Sequence, residues 1–524
     1  MRARVLQVAL AVLGCQAAGC VRASFVSGPE ADGGLRPSDG GPRPSDGART
    51  ERGTTPTDGS SRPTDGGTLF DDGGGSPDLR RDQGAPPAGT YYVSLSGSDA
   101  WPGTKAQPWR TVGHALAAVP NGGGYLVLVG AGTYEEQLQA RRSFGQQVTF
   151  RSELPYRAKL TARANPVLDV QGARVTFEGF EITGQAAAGT TGLIYFWQAD
   201  GCTLRDNVIH DSYLNDLVRV LRSQAVTLEG NLLYNPGDGS QWVDVSGASQ
   251  DVVLQDNVFL GDYAGSGRAV PTNVKSMLAV RTSSTTTAAT QRTSVRRNIF
   301  VHFDSGATAE PVISLGGADQ PYLEVDDATV ENNFVALNGT SVSGAIAIRA
   351  ARKVTVRANT VLGDAASAPF AGFVGRASAS NPKSEAILIA NNLYARPDGR
   401  MDHLLRSPAA QITSASLRRN LYWNRGKPVP TDPTDLLNYT ADPSAVLGDP
   451  VSTSLVGAPL PRFEGPGFRG GYATIRDAFV ALAGFAALGT GSAAQDAADR
   501  TQMPATDLLG RARGTAPDIG AFER

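Results

Sequence analysis

Between residues 200 and 424 the chain sets apolar and polar residues in a fixed frame around one asparagine. The copies read CTLRDNVIH, VTLEGNLLY, VVLQDNVFL, TSVRRNIFV, ATVENNFVA, VTVRANTVL, ILIANNLYA and ASLRRNLYW. Their asparagines are Asn207, Asn231, Asn257, Asn298, Asn333, Asn359, Asn392 and Asn420, and an earlier copy, VTFEGFEIT, carries Phe180 in that place. Leu, Val or Ile stands three residues before each of these asparagines. Ile, Leu, Phe, Val or Tyr stands two residues after it. Side chains on one face of a straight strand are separated by even numbers of residues, so a separation of five demands a bend. Asn accepts left-handed backbone geometry more readily than most residues with a Cβ. The frame therefore predicts two short strands with the Asn itself at the corner, stacked coil on coil as a structural ladder.

A further apolar stretch precedes the pair in most copies: LVRV, WVDV, MLAV, VISL and AIAI. The copies recur every 24 to 41 residues, which is a solenoid period. Three short strands per unit with no helical period predict an all-β chain, a single-stranded right-handed parallel β-helix of three-strand coils. At its N-terminal end Trp109, Val112, Leu116 and Val119 recur at helical spacing, which predicts a short helix-containing cap. The repeat breaks after about Asn424. Tyr472 to Leu488 is expected to form a helical or strand-poor end cap, and the final PDIGAFE a closing element that folds back. The solenoid is accordingly bounded at 90–423 and the closing region at 424–524.

Composition adds an address. The chain opens with MRAR, an apolar run from Val5 to Cys15, and QAAGC. This resembles a bacterial lipoprotein signal over residues 1–20, with Cys20 as the lipidated residue and Cys15 as the rival site. Residues 21–89 repeat RPSDG, TPTDG and RPTDG, and such a stretch cannot bury enough apolar surface to offset its ordering entropy. It is expected to be a tether. The expected product is exported and held by a lipid anchor at the outer membrane, cell surface or periplasm. After cleavage Cys202 is the only other cysteine, so no intrachain disulfide is expected. A net charge of -2 supplies no basic stripe for nucleic acid.

The Asn-marked coils resemble the pectate-lyase-like superfamily of parallel β-helices. The opening YYVSLSGSDAWPGTKAQPWRTVGHAL and the following GTY are similar to the start of many secreted members. The closing GSAAQDAADRTQMPATDLLGRARGTAPDIGAFE resembles the segment of extracellular proteins called choice-of-anchor Q. The resemblance implies a polysaccharide partner lying along the first strand of each coil, and a monomer. Strict alternation then projects outward Arg219 in LVRV, Trp242 and Asp244 in WVDV, Met277, Ala279 and Arg281 in MLAVR, and Arg349 in AIAIR. The loops before these strands bring His210, Asp211, Asp216, Asp238 and Lys275.

On this resemblance β-elimination of a uronic-acid polymer would use Ca2+ held by Asp211, Asp216 and Asp238. Asp244, Arg219, Lys275 and Arg281 would form the catalytic group, with one of the three cations as base. Trp242, Arg349 and His210 would contact the sugar. Two other readings stay open. A glycoside hydrolase would use Asp238 and Asp244 as its acid and base. A non-catalytic glycan-binding or envelope protein needs only the rigid body, because an outward Arg–Asp–Arg column is also ordinary cross-strand pairing.

Overall fold

The computed structural model describes residues 89–524 apart from 186–190, 284–285, 307–308, 340, 365–368, 453–458 and 465–466. The expected signal with Cys20 and Cys15, and the tether up to residue 88, lie outside the described residues. The described residues form one compact unit.

Three long parallel sheets run through this unit, of 10, 12 and 12 strands. Each coil contributes one strand to each sheet in turn, which is the expected parallel β-helix. In the first sheet Val218, Val243, Leu278, Ile313 and Ile346 lie side by side in register, all pointing into one continuous core. The N-terminal cap holds the expected helix at Val112–Ala118, with the Thr111 side chain accepting from the His114 N–H at its start. Glu136 receives the N–H groups of Val112 and Gly113 at the same end, where two backbone donors lack helical partners.

The corner geometry differs from expectation. The left-handed residue is the one before each asparagine: Asp206, Gly230, Asp256, Arg297, Asn332, Ala358, Asn391 and Arg419, with φ between 52° and 68°. The Asn stays in regular backbone because both ends of its amide are committed. Asn231 gives its backbone N–H and its Nδ2 to Asn257 Oδ1 at 2.9 and 3.0 Å, and Nδ2 also reaches the Leu204 carbonyl at 3.0 Å. This satisfies groups that a buried turn would otherwise leave orphaned. The ladder starts with the Phe180 N–H on Asn207 Oδ1. It ends at Asn420, whose N–H and Nδ2 go to Asp442 Oδ2 at 3.0 and 3.2 Å.

The second sheet carries a ladder of another kind. Arg151, Glu178, Arg205, Glu229, Gln255, Arg296, Glu331 and Arg357 are successive neighbours in register. Opposite or complementary groups meet at nearly every step, for example Arg205–Glu229 at 3.3 Å and Arg357–Glu331 at 2.7 Å.

The expected cap at Tyr472 to Leu488 closes no end of the solenoid. The helix Ile475–Ala483 buries Ile475, Phe479, Leu482 and Ala483 in the same core cluster as the coils, and Tyr156 Oη accepts from the Ile475 N–H at 3.5 Å. The hairpin of Arg462–Glu464 and Gly467–Arg469 packs Phe463 and Phe468 on the same Tyr156 ring. The physical reason is in the third sheet. Its strands VIH, LLY, VFL, IFV and FVA are buried at every position, so both faces need cover. The tail then folds back as expected. Gly520 N–H donates to the Asn391 carbonyl, and Arg513 Nη2 to Asn332 Oδ1 at 2.9 Å.

Candidate functional site

On the first sheet, alternation holds inside each strand and sets one residue per coil outward: Asp169, Tyr195, Arg219, Asp244, Ala279 and Ser314 are neighbours in register. Alternation fails one residue earlier. Leu193, Leu217, Trp242, Met277 and Val312 precede the inward positions and are themselves buried at 0 or 1 % exposure. There the chain is still turning out of the preceding loop, and two consecutive side chains face the core. Trp242 is therefore a core residue and offers no face to a sugar.

Asp244 is 1 % exposed although it lies on the outer face. Arg281 takes both of its oxygens, Nε to Oδ1 at 3.1 Å and Nη2 to Oδ2 at 3.2 Å, and Arg219 Nε approaches Oδ2 at 3.6 Å. Asp244 in return holds the Arg281 guanidinium above its ordinary pKa. Asp216 sits behind this trio with Oδ1 on the Gln241 N–H at 2.8 Å. Burial, then the negative charge of Asp244, pushes its carboxyl up to about 7.

A cleft of ≈ 180 Å³ opens beside the trio, lined by Gln241, Lys275, Arg281, Glu310, Ser314 and Arg349 among others. It brings together three of the expected residues, Lys275, Arg281 and Arg349. Lys275 Nζ is hydrogen-bonded to Glu310 Oε1 at 3.0 Å. Arg349 has no carboxylate within ion-pair distance among the described residues. It reaches only Ser314 Oγ, at 3.4 Å, and lies 5.4 Å from the centre of the Phe373 ring. Burial lowers its pKa, and Glu310 and Glu324 partly counter that.

The other expected ligands lie elsewhere. His210 and Asp211 end a third-sheet strand and are buried there, stacked and hydrogen-bonded among protein groups, so His210 is not a sugar contact on the first-sheet face. Asp211 accepts from Arg268 and Asn235 on Oδ1, and contacts His210 and Ser266 on Oδ2. All its acceptor positions are taken, and it is not a calcium ligand. Asp238 is exposed and receives the Asn273 N–H at 2.9 Å. The three expected calcium ligands thus form no common set, and no calcium step is derived from them. Among the described residues one grouping brings three ligand-type atoms within 4.8 Å of one another, His403, Asp432 and Asp435. There the His403–Asp435 contact of 2.8 Å and the Ser407 N–H on Asp435 account for the carboxylate as a turn support.

Three residues of this face escaped the sequence reading. Glu310 precedes the apolar stretch PVISL, and its place opposite Lys275, 35 positions away in sequence, depends on a full turn of the solenoid between them. Tyr195 and Trp197 alternate outward in IYFW, half-buried beside Arg219 and Leu221. That strand opens the Asn207 coil, and alternation alone could have found it.

A family described as a protein of unknown function, DUF1565, matches residues 95–144, the segment that holds the N-terminal cap. No curated protein matches the chain. Among solved structures, pectate lyase Pel9A is 15 % identical, with a TM-score of 0.46 over 84 % of this chain and 98 % of its own. XylC, solved with xylose, is 10 % identical, with a TM-score of 0.44 over 83 % of this chain and 98 % of its own. A mannuronic acid specific polysaccharide family 6 lyase from human gut microbiota is 15 % identical, with a TM-score of 0.43 over 64 % of this chain and 81 % of its own. At these scores the likenesses carry no argument about activity. The protein is a parallel β-helix with a cationic cleft on its first sheet.

Proposed function

We propose that this protein binds an acidic polysaccharide along the outer face of its first sheet, as an exported monomer held to a membrane by lipid on Cys20. The carrying observation is Arg349. A guanidinium half-buried in a cleft without a carboxylate partner is a costly arrangement unless an anion completes it. A sugar carboxylate fits its planar fork in a bidentate way. Gln241, Ser314 and Lys275 around it supply hydroxyl-directed donors and acceptors. Tyr195 and Trp197 extend the face with two aromatic edges.

The test is direct binding of polygalacturonate and alginate, against a neutral glucan of the same length. The expected result is salt-sensitive binding to the acidic polymers that Arg349→Ala abolishes without lowering thermal stability. Equal binding by wild type and variant overturns the assignment. Labelling with a tritiated fatty acid, lost in Cys20→Ser, tests the anchor.

Elimination is the second reading, and one observation favours it: Lys275 shares the cleft with Arg349. Lys275 would have to give up its Glu310 pair to act as a base. A new ultraviolet-absorbing unsaturated product from either acidic polymer supports this reading, and a flat trace leaves binding alone.

A further inference from the structure

His210 and Asp211 sit at the centre of a buried charged network that the cleft does not use. His210 Nδ1 lies 2.7 Å from Asp211 Oδ2, and Nε2 lies 3.2 Å from Glu181 Oε1. Thr183 Oγ1 is 3.5 Å from Nδ1. A neutral imidazole has one N–H donor and one lone pair, so only the doubly protonated ring satisfies carboxylates at both nitrogens. Lys159 shares Glu181, with Nζ at 2.9 Å from the same oxygen. Arg268 Nη1 reaches Asp211 Oδ1 at 3.0 Å and the Asn235 carbonyl, and its Nη2 donates to the carbonyls of Ser212 and Pro236.

Two segments distant in sequence are tied to this network. The first is loop 261–277, which carries Asp262, Ser266 and Arg268 and ends near Lys275 in the cleft. The second is the C-terminal hairpin. Arg462 and Arg469 both pair with Asp262, at 3.5 and 3.1 Å. The His210 ring stacks on Tyr234 at 4.7 Å, and the Arg462 guanidinium lies 5.5 Å from the centre of that same tyrosine ring. One side chain thus orders the platform that receives the hairpin and the carboxylate that receives the loop.

We propose that His210 and Asp211 form a pH-sensitive latch that holds loop 261–277 and the C-terminal hairpin against the third sheet. With His210 charged, Glu181 and Asp211 share a cation between them. Without its proton, one nitrogen faces a carboxylate lone pair to lone pair, and the ring must leave its stack on Tyr234. Burial alone would lower the His210 pKa, but Asp211 and Glu181 outweigh it and the net shift is upward. The stabilisation is therefore complete below the ordinary histidine value and is lost as pH rises through the raised one. At the acid end burial would raise the Asp211 carboxyl, yet His210 and Arg268 hold it down to about 2, so its part of the latch is lost only near that pH. The latch is independent of what the cleft binds.

Amide hydrogen exchange of the full-length protein, corrected for intrinsic exchange, tests it at a series of pH values. Wild type is expected to protect 262–268, 462–464 and 467–469 at neutral pH and to lose that protection at alkaline pH, while the Asn ladder stays protected. His210→Gln is expected to show low protection in both segments at every pH. Wild-type protection that does not change with pH overturns the latch, as does a His210→Gln profile equal to wild type. If the variant fails to fold, nitrogen NMR of labelled histidine in the wild type decides. Two protonated ring nitrogens at pH 7, above the ordinary histidine value, support the latch, and a neutral tautomer there overturns it.

Discussion

Arg281 and Asp244, from neighbouring coils, meet through two hydrogen bonds of 3.1 and 3.2 Å on the outer face of the first sheet. The carboxylate is all but inaccessible, at 1 % exposure. Its first role is consequently to neutralise two guanidinium groups. Substituting Asp244 by Ala removes the carboxylate that pairs with both Arg219 and Arg281. Breaking a buried pair from one side costs about 3 kcal/mol, read as a lower midpoint in urea unfolding. An unchanged midpoint would show the trio to be surface decoration.

The ladder is expected to be costlier. Asn257 Oδ1 receives the N–H and Nδ2 of Asn231, and its Nδ2 reaches the Leu228 carbonyl. At roughly 1–3 kcal/mol for each buried group left unsatisfied, Asn257→Ala is expected to lose about 4 kcal/mol. Calorimetry of that variant against an exposed control, such as Ser96→Ala, checks the figure.

Asp216 makes stability depend on pH in the opposite sense to an ordinary paired carboxylate. Its folded-state pKa is raised, to about 7, so the folded state holds a proton that the unfolded chain gives up. Stability from this group is therefore lost as pH rises from the ordinary carboxylate range through 7. Asp216→Asn keeps an oxygen for the Gln241 N–H and removes the titration. The variant should match wild type at pH 4 and exceed it in chemical unfolding at pH 8. A variant less stable at both pH values contradicts the assignment.

Arg513 ties the tail to the coils. Its guanidinium donates to the carbonyls of Thr506, Asp518 and Gly520, to Glu523 Oε2 and to Asn332 Oδ1. Arg513→Ala is expected to raise protease sensitivity after residue 503 while the Asn ladder keeps its protection in hydrogen exchange. Cleavage at the wild-type rate would mean that the tail is held by its other contacts.

The solenoid was legible because its signal is repeated. Leu228, Asn231 and Leu233 mean little once and a great deal eight times over, since every coil obeys the same packing. The site was less legible for reasons specific to each residue. Trp242 was misplaced because alternation is a property of straight strands and it stands where the chain is still turning. The left-handed corner was assigned to Asn231 from its tolerance for that geometry. The structure gives the left-handed geometry to Gly230, at φ 68°, which adopts it without a Cβ penalty. His210 and Asp211 read as loop residues, because nothing in VIHDS says that a hairpin 250 residues later covers them. The pattern did hold one overlooked clue. Strands as apolar as LLY and VFL belong to a sheet covered on both sides, and only the C-terminal region was left to cover it.

The asparagine ladder also has a direction. From Asn207 onward each rung hands two N–H groups to the oxygen of the rung above, and Asn420 hands its pair to Asp442. A carboxylate receives and has nothing to pass on. The height of the stack is thus set by where this full stop stands, and not by any property of the repeating unit. A gene that copies one Asn-bearing unit lengthens the column without rewriting its foot or its summit.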